Sequence, residues 1–255
     1  MTVAAPPTGA IAGAAGEVDA RARVRRHDGR LTWASCPPVV LRRTGRDRVH
    51  LVAVGGGPLG GDRLGLDVDL GGGQHLDVRS AAATVVQPGR HGGAASFAVR
   101  ARVAAGASLD WRPEPAVVTD GADWHPRLEL DLAEGAQVRV VDVVVLGRSG
   151  QRGGRCRSAL RVTVEGRPLL ETTTLLDGAD PALSGPGGTG GARCVGTVLL
   201  VGAGSAGHDG PDEDAGQEDD VVWGRSPLAG PGTLLTAVGS VRGVRRVLDG
   251  AVRAR

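Results

Sequence analysis

Three glycine-centred segments recur along the chain: LGGGQHLDV (70–78), VAAGASLDW (103–111) and LAEGAQVRV (132–140). In each, an apolar residue is followed by two small or polar residues, a glycine, two further residues and then apolar–x–apolar. The aligned glycines, Gly73, Gly106 and Gly135, stand 33 and 29 residues apart. Each is preceded by a segment that alternates apolar with polar or small residues: RLGLDVDL, SFAVRARV and PRLELDL. Alternation with period two puts one face of a strand on a core and the other in water. The repeating unit is therefore strand, glycine turn, strand. Such a unit cannot bury its apolar face alone and must stack on its neighbours. The sequence thus predicts a mainly β fold, either stacked β-hairpins or a β-solenoid-like body, with a few helices.

The flanking segments extend this reading. Val18, Ala20, Ala22 and Val24 alternate with charged residues, and Asp28-Gly29 supplies a hairpin turn. A second hairpin is expected around Glu165-Gly166. Residues 1–16 read as a disordered tail, 17–203 as the β-rich body and 204–220 as an acidic flexible loop. Residues 221–255 read as a helical segment of the same domain, because Ala237, Val241, Val244, Leu248 and Ala251 form an apolar stripe at helical spacing.

Several function classes are excluded by composition. Aromatic residues are 2% of the chain and the net charge is only +2, so base stacking and phosphate attraction are both weak and nucleic acid is not an expected partner. All thirty basic residues are arginine. Cys36, Cys156 and Cys194 are odd in number and widely spaced, which suggests neither a disulfide framework nor a zinc site. The N-terminus lacks the basic start and apolar run of a signal peptide, and the apolar run at 195–204 is too short for a bilayer. A soluble, cytoplasmic protein without membrane association is expected.

The stretch GGGPLGGDRL (55–64) satisfies G-x-G-x-x-G, but a dinucleotide cradle requires a helix next. A period-two strand follows instead, so these glycines are expected to let backbones turn and approach closely. The six histidines are scattered without ligand spacing, and no serine or cysteine has a nucleophile's local context. Asp62, Asp120, Asp142 and Glu171 stand out among the acids. Asp142 interrupts the apolar run VRVVDVVVLG and shares a strand face with Val138, Val140 and Val144. A buried carboxylate needs a partner, water or a cation, and an arginine partner is expected.

The stretch GGGPLGGDRLGLDVDLGGG resembles the signature of the urease accessory protein D family, also called H, in which a glycine-rich run ending in Asp leads into an alternating strand and a glycine turn. The resemblance continues in order through ASLDWRPEPAVVTDGA, VVDVVVLGRSG and GRPLLETTTL, and covers about residues 17–202. The family's Glu after Trp-x-Pro-x falls on Pro115, with Glu114 one place earlier. The resemblance implies a non-enzymatic maturation factor that binds apo-urease together with the accessory F protein and the accessory G GTPase. It also implies a stacked-strand fold with a tunnel that carries Ni²⁺, with transient nickel rather than a tightly bound cofactor. Asp62, Asp120, Asp142 and Glu171 become candidate tunnel or interface carboxylates. The alternative kept open by the residues themselves is a β-solenoid-like enzyme or a carbohydrate-binding module.

Overall fold

The structure is a computed structural model that describes residues 18–202 and 214–253. Two sheets face one another. In the first, β1 (Asp19–His27), β5 (Arg63–Leu70), β8 (Ala95–Val103), β11 (Asp123–Leu132) and β13 (Arg155–Val164) run parallel side by side. β2 (Arg30–Ala34) and β14 (Arg167–Asp177) add antiparallel edges through the two expected hairpins. The second sheet has a parallel centre of β4 (Arg48–Ala53), β6 (His75–Ser80), β9 (Ser108–Arg112) and β12 (Gln137–Leu146). Its antiparallel extensions are β3 (Val39–Arg43) on one side and, on the other, β15 (Cys194–Val201), β18 (Gly232–Gly239), β17 (Val221–Pro227) and β16 (Ala215–Glu218). The short β7 (Thr84–Val86) and β10 (Ala116–Val118) continue it beside β12.

Consecutive strands of the repeat do not pair with each other. β5 lies in the first sheet and β6 in the second, and the hydrogen-bonded partner of β5 is β8, the opening strand of the next repeat. Each glycine turn is therefore an arch between layers, and each repeat is one coil of a solenoid rather than a stacked hairpin. Gly73, Gly106 and Gly135 have φ of +66°, +68° and +75°, the left-handed region that glycine enters without steric cost. The arches stack: a Cβ on Gly106 would lie 3.8 Å from the Gly73 nitrogen. The loop at 55–62 also leads into a strand, not a helix, as its sequence context requires.

The outward row of the first sheet explains its register. Arg23, Asp67, Arg100, Glu129, Arg161 and Glu171 occupy successive positions across six strands, alternating in sign throughout. Arg100 Nε lies 3.0 Å from Glu129 Oε2. Neighbouring strands sit about 4.8 Å apart, close enough for each opposite-charge pair to interact, and a one-residue slip in pairing would turn these charged side chains toward the core.

The main core lies between the sheets and is built from Val, Leu and Ala, including Val24, Leu66, Leu76, Leu109 and Leu132. A second core covers the outer face of the second sheet, where helix α2 (Val241–Arg253) packs Val244, Leu248 and Val252 over Val143, Val198 and Leu235. A short helix, α1 (Pro181–Ser184), interrupts the long connection before β15.

The C-terminal boundaries differ from the sequence reading. Residues 221–239 form strands β17 and β18, so only 241–253 is helical. Ala237 belongs to β18, and Val241 is 39% exposed, which leaves Val244, Leu248 and Val252 as the buried stripe. Within the acidic 204–220 segment, Ala215–Glu218 is strand β16, because its backbone finds β17; residues 204–213 and the 1–16 tail lie outside the described residues. No helix among the described residues is long and apolar enough to cross a membrane.

Candidate functional site: a cavity between the sheets

The two sheets do not close completely. A cavity of about 340 Å³ lies between them, with Leu64, Phe97, Val99, Leu128 and Leu160 on one wall and Leu51, Trp111, Val140 and Val144 on the other. Its lining includes the exposed residues Val54, Ala81, Ala82 and Ala83, which mark where it reaches the surface.

One band of polar side chains crosses both walls of this largely apolar space. Across the second sheet, Asp142 on β12 is in register with Thr197 on β15, which is in register with Thr236 on β18. Across the first sheet, Ser158 on β13 is in register with Thr174 on β14. All five line the cavity. The Ser158 hydroxyl donates to Asp142 Oδ2 at 3.3 Å, linking the layers. The Asp142 carboxylate thus meets the Ser158 hydroxyl directly and shares its band with three threonines.

No arginine answers Asp142 among the described residues, contrary to the expectation from sequence. Burial pushes its carboxyl above the ordinary carboxylate range, and hydrogen bonds from Ser158 and from the Val143 backbone offset only part of that shift. Cys156, buried on β13 near Asp142, is held as a thiol: burial raises it first, and the charges of Asp142 and Asp123 raise it further. Burial pushes Cys194 up to about 12. The cavity therefore offers oxygen donors rather than thiolates.

The other three acids singled out from sequence lie elsewhere. Asp62 is buried, and its two oxygens accept from the backbone N–H of Val18 at 3.1 Å and of Leu59 at 2.9 Å, which fastens the glycine loop to the start of β1. Asp120 is exposed and accepts from the Gly153 N–H at 2.7 Å. Glu171 is exposed and ends the charge row of the first sheet, on the face of β14 opposite Thr172 and Thr174. A carboxylate that the sequence reading did not select, Glu114, does line the cavity. Arg245 of α2 holds it with two hydrogen bonds, at 2.9 and 3.3 Å. The hydroxyl band was equally hidden, since Thr and Ser on alternating strands carry no motif.

The family model described as UreD urease accessory protein matches residues 14–253. The chain belongs to the UreD family. Relatives agree: it is 44% identical to the urease accessory protein UreD of Frankia alni over 206 residues, covering 74% of this chain and 67% of that one. It is 38% identical to the UreD of Streptomyces coelicolor over 250 residues, covering 93% and 97%. The resemblance read from the glycine-rich signature and its three companion segments is thereby established, and the role of this UreD-family chain lies in urease maturation.

Proposed function

We propose that this protein is a non-catalytic scaffold that binds apo-urease, together with the accessory F protein and the accessory G GTPase, and passes Ni²⁺ through its interior toward the urease active site. The observation that supports this most directly is the Asp142 carboxylate on the wall of a largely apolar cavity, bonded to the Ser158 hydroxyl and to no arginine, whereas the other two charged lining residues are paired, Glu114 with Arg245 and Arg127 with Glu129. A structural carboxylate in that position would be expected to carry a guanidinium partner, as Asp77 does elsewhere in the chain.

The chemistry suits transit. Imidazole and thiolate sites hold Ni²⁺ tightly, whereas single carboxylate and hydroxyl oxygens hold a hydrated cation weakly enough to release it. Asp142 supplies the negative charge, and Ser158, Thr174, Thr197 and Thr236 can replace part of the hydration shell. Because burial raises the Asp142 carboxyl, a cation in the cavity competes with a proton for it and binds better as pH rises. The cation is cargo in this scheme, not a resident cofactor.

The test is co-expression with the urease subunits and the other accessory proteins, using Asp142→Asn. Asparagine keeps the shape and the Ser158 contact but removes the charge. Urease activity and nickel content are expected to fall by about tenfold, the equivalent of about 1.4 kcal/mol of lost cation stabilisation, while the accessory complex still co-purifies. Activation at the wild-type level would defeat the conduit.

A further inference from the structure

The outer faces of the two sheets differ in how they balance charge. On the first sheet each arginine in the central outward row has an acid beside it. On the second, the row formed by Arg42 on β3, His50 on β4, Arg79 on β6 and Arg112 on β9 contains no carboxylate. The adjacent row, Arg48–Asp77–Asp110–Arg139, holds the only two acids of these registered positions. Asp77 accepts from Arg48 Nε at 2.7 Å and from Arg79 Nε at 3.1 Å, with Arg112 at 3.7 Å. Asp110 is shared between Arg112 at 3.4 Å and Arg139 at 3.5 Å. Five arginines therefore face two aspartates.

Donor capacity is left over. Arg42 is exposed and forms no ion pair among the described residues. The Nε groups of Arg112 and Arg139 are buried without a hydrogen-bond partner. Helix α2 packs on this face over β12, β15, β17 and β18, so the row of Arg42, His50, Arg79 and Arg112 on β3, β4, β6 and β9 lies outside its main contacts. Like charges at adjacent strand positions cost stability, and the fold carries this cost on one face while avoiding it on the other.

We propose that this open half of the second sheet's outer face is a docking surface for an acidic polypeptide surface, with Arg42, Arg79 and Arg112 as its recognition row. Guanidinium forks match carboxylates bidentately, and an incoming strip of Asp or Glu side chains would complete the alternation that the first sheet makes internally. Neither row contains Trp, Tyr or Phe, and His50 is the one ring in them, so the face lacks the repeated stacking platforms of a single-stranded nucleic-acid site. Its position bears on the cavity. Arg79 leads directly into lining residues Ser80–Ala83, and Arg112 into Pro113 and Glu114, so a partner seated on the row abuts the surface opening. The docking surface stands on the register alone and does not require that the cavity carry nickel.

The test measures binding of a fluorescein-labelled decaglutamate peptide to the purified full chain by fluorescence anisotropy at low and high salt. The double variant Arg42→Glu/Arg79→Gln is compared with Arg102→Glu/Arg161→Gln on the first sheet, which changes net charge equally. The single variant Arg42→Glu leaves the contacts of Asp77 in place, so it reports on docking even if the double variant is destabilised. Thermal unfolding verifies that each is folded. The second-sheet variants are expected to weaken binding by about tenfold, the first-sheet variant by less than about twofold, and salt should weaken the wild type. No binding by the wild-type chain, or equal loss in both variants, overturns the proposal. So does tighter binding of oligodeoxythymidylate or phosphatidylserine vesicles than of the peptide.

Discussion

Asp142, half-buried on the cavity wall, and Asp77, buried beneath arginines, are two carboxylates with opposite solutions. For Asp77, burial alone would raise the acid, but hydrogen bonds from Arg79 and Arg48 outweigh it and hold the carboxyl below the ordinary range. Asp77 therefore contributes stability above the unfolded-state value of 3.8, and that contribution is lost as pH falls through its lower folded value. Asp142 is raised instead, so the folded state binds its proton more strongly than the unfolded chain does. Its effect has the other sign: the folded protein loses stability as pH rises from 3.8 to the folded value of Asp142. Asp142→Asn should accordingly be more stable than wild type at pH 8, by about 1 kcal/mol or more, and the gain should shrink as pH falls toward 3.8. Urea unfolding midpoints across that range measure it, and a variant less stable than wild type at pH 8 would contradict the burial of an unpaired charge. By contrast, Asp77→Ala strands three guanidiniums and should cost about 3 kcal/mol at neutral pH, measured the same way. Sequence alone identified Asp142 as the acid inside an apolar run. It could not identify Ser158 as the partner, because that hydroxyl arrives from the opposite sheet.

At the scale of elements, the C-terminal helix depends on two glycines that allow close approach. A Cβ on Gly196 of β15 would lie 2.6 Å from both Leu248 Cδ1 and Val244 Cγ1, and one on Gly243 would lie 2.3 Å from Val221 Cγ2. Gly243 lowers helix propensity by about 1 kcal/mol relative to Ala, and the buried contact it permits explains its place. Gly196→Val should lift α2 from the sheet, cost about 1–3 kcal/mol, and speed amide exchange in residues 244–252 before the parallel strands respond. Uniform exchange across all elements would argue against this local docking. The misplaced helix start has a related origin. A step of four residues keeps side chains on one side of both a helix and a strand, so Ala237 and Val241 fit either period. The β18 partners that decide the matter, in β15 and β17, are distant in sequence or hidden by polar interruptions.

For the whole molecule, α2 is the cover on an otherwise open apolar face. Removing residues 240–255 exposes Val143, Val198 and Leu235 and deletes the burial of Val244, Leu248 and Val252, each worth about 1.5–3 kcal/mol. The truncated chain should bind a hydrophobic dye and self-associate, read by fluorescence and light scattering; a monomer with unchanged dye response would show that the face is not held apart from water by α2. The same deletion removes Arg245 from Glu114, leaving that cavity carboxylate without its guanidinium.

The local grammar of this chain was in its sequence: period-two strands, turns at Gly73, Gly106 and Gly135, and an acid at 142 amid valines. Local grammar follows from backbone sterics and side-chain alternation, which act over a few residues. Whether successive strands would pair as hairpins or pass between two sheets was decided only by the folded stack, because ladder partners lie about one repeat away. The same long-range registration set Asp142 among the hydroxyls of Ser158, Thr174, Thr197 and Thr236, placed Glu171 at the end of a charge row on the outer surface, and left the arginines of the second sheet without enough acids. Contacts of that kind depend on which residues meet across neighbouring coils, and no local pattern in the chain encodes them.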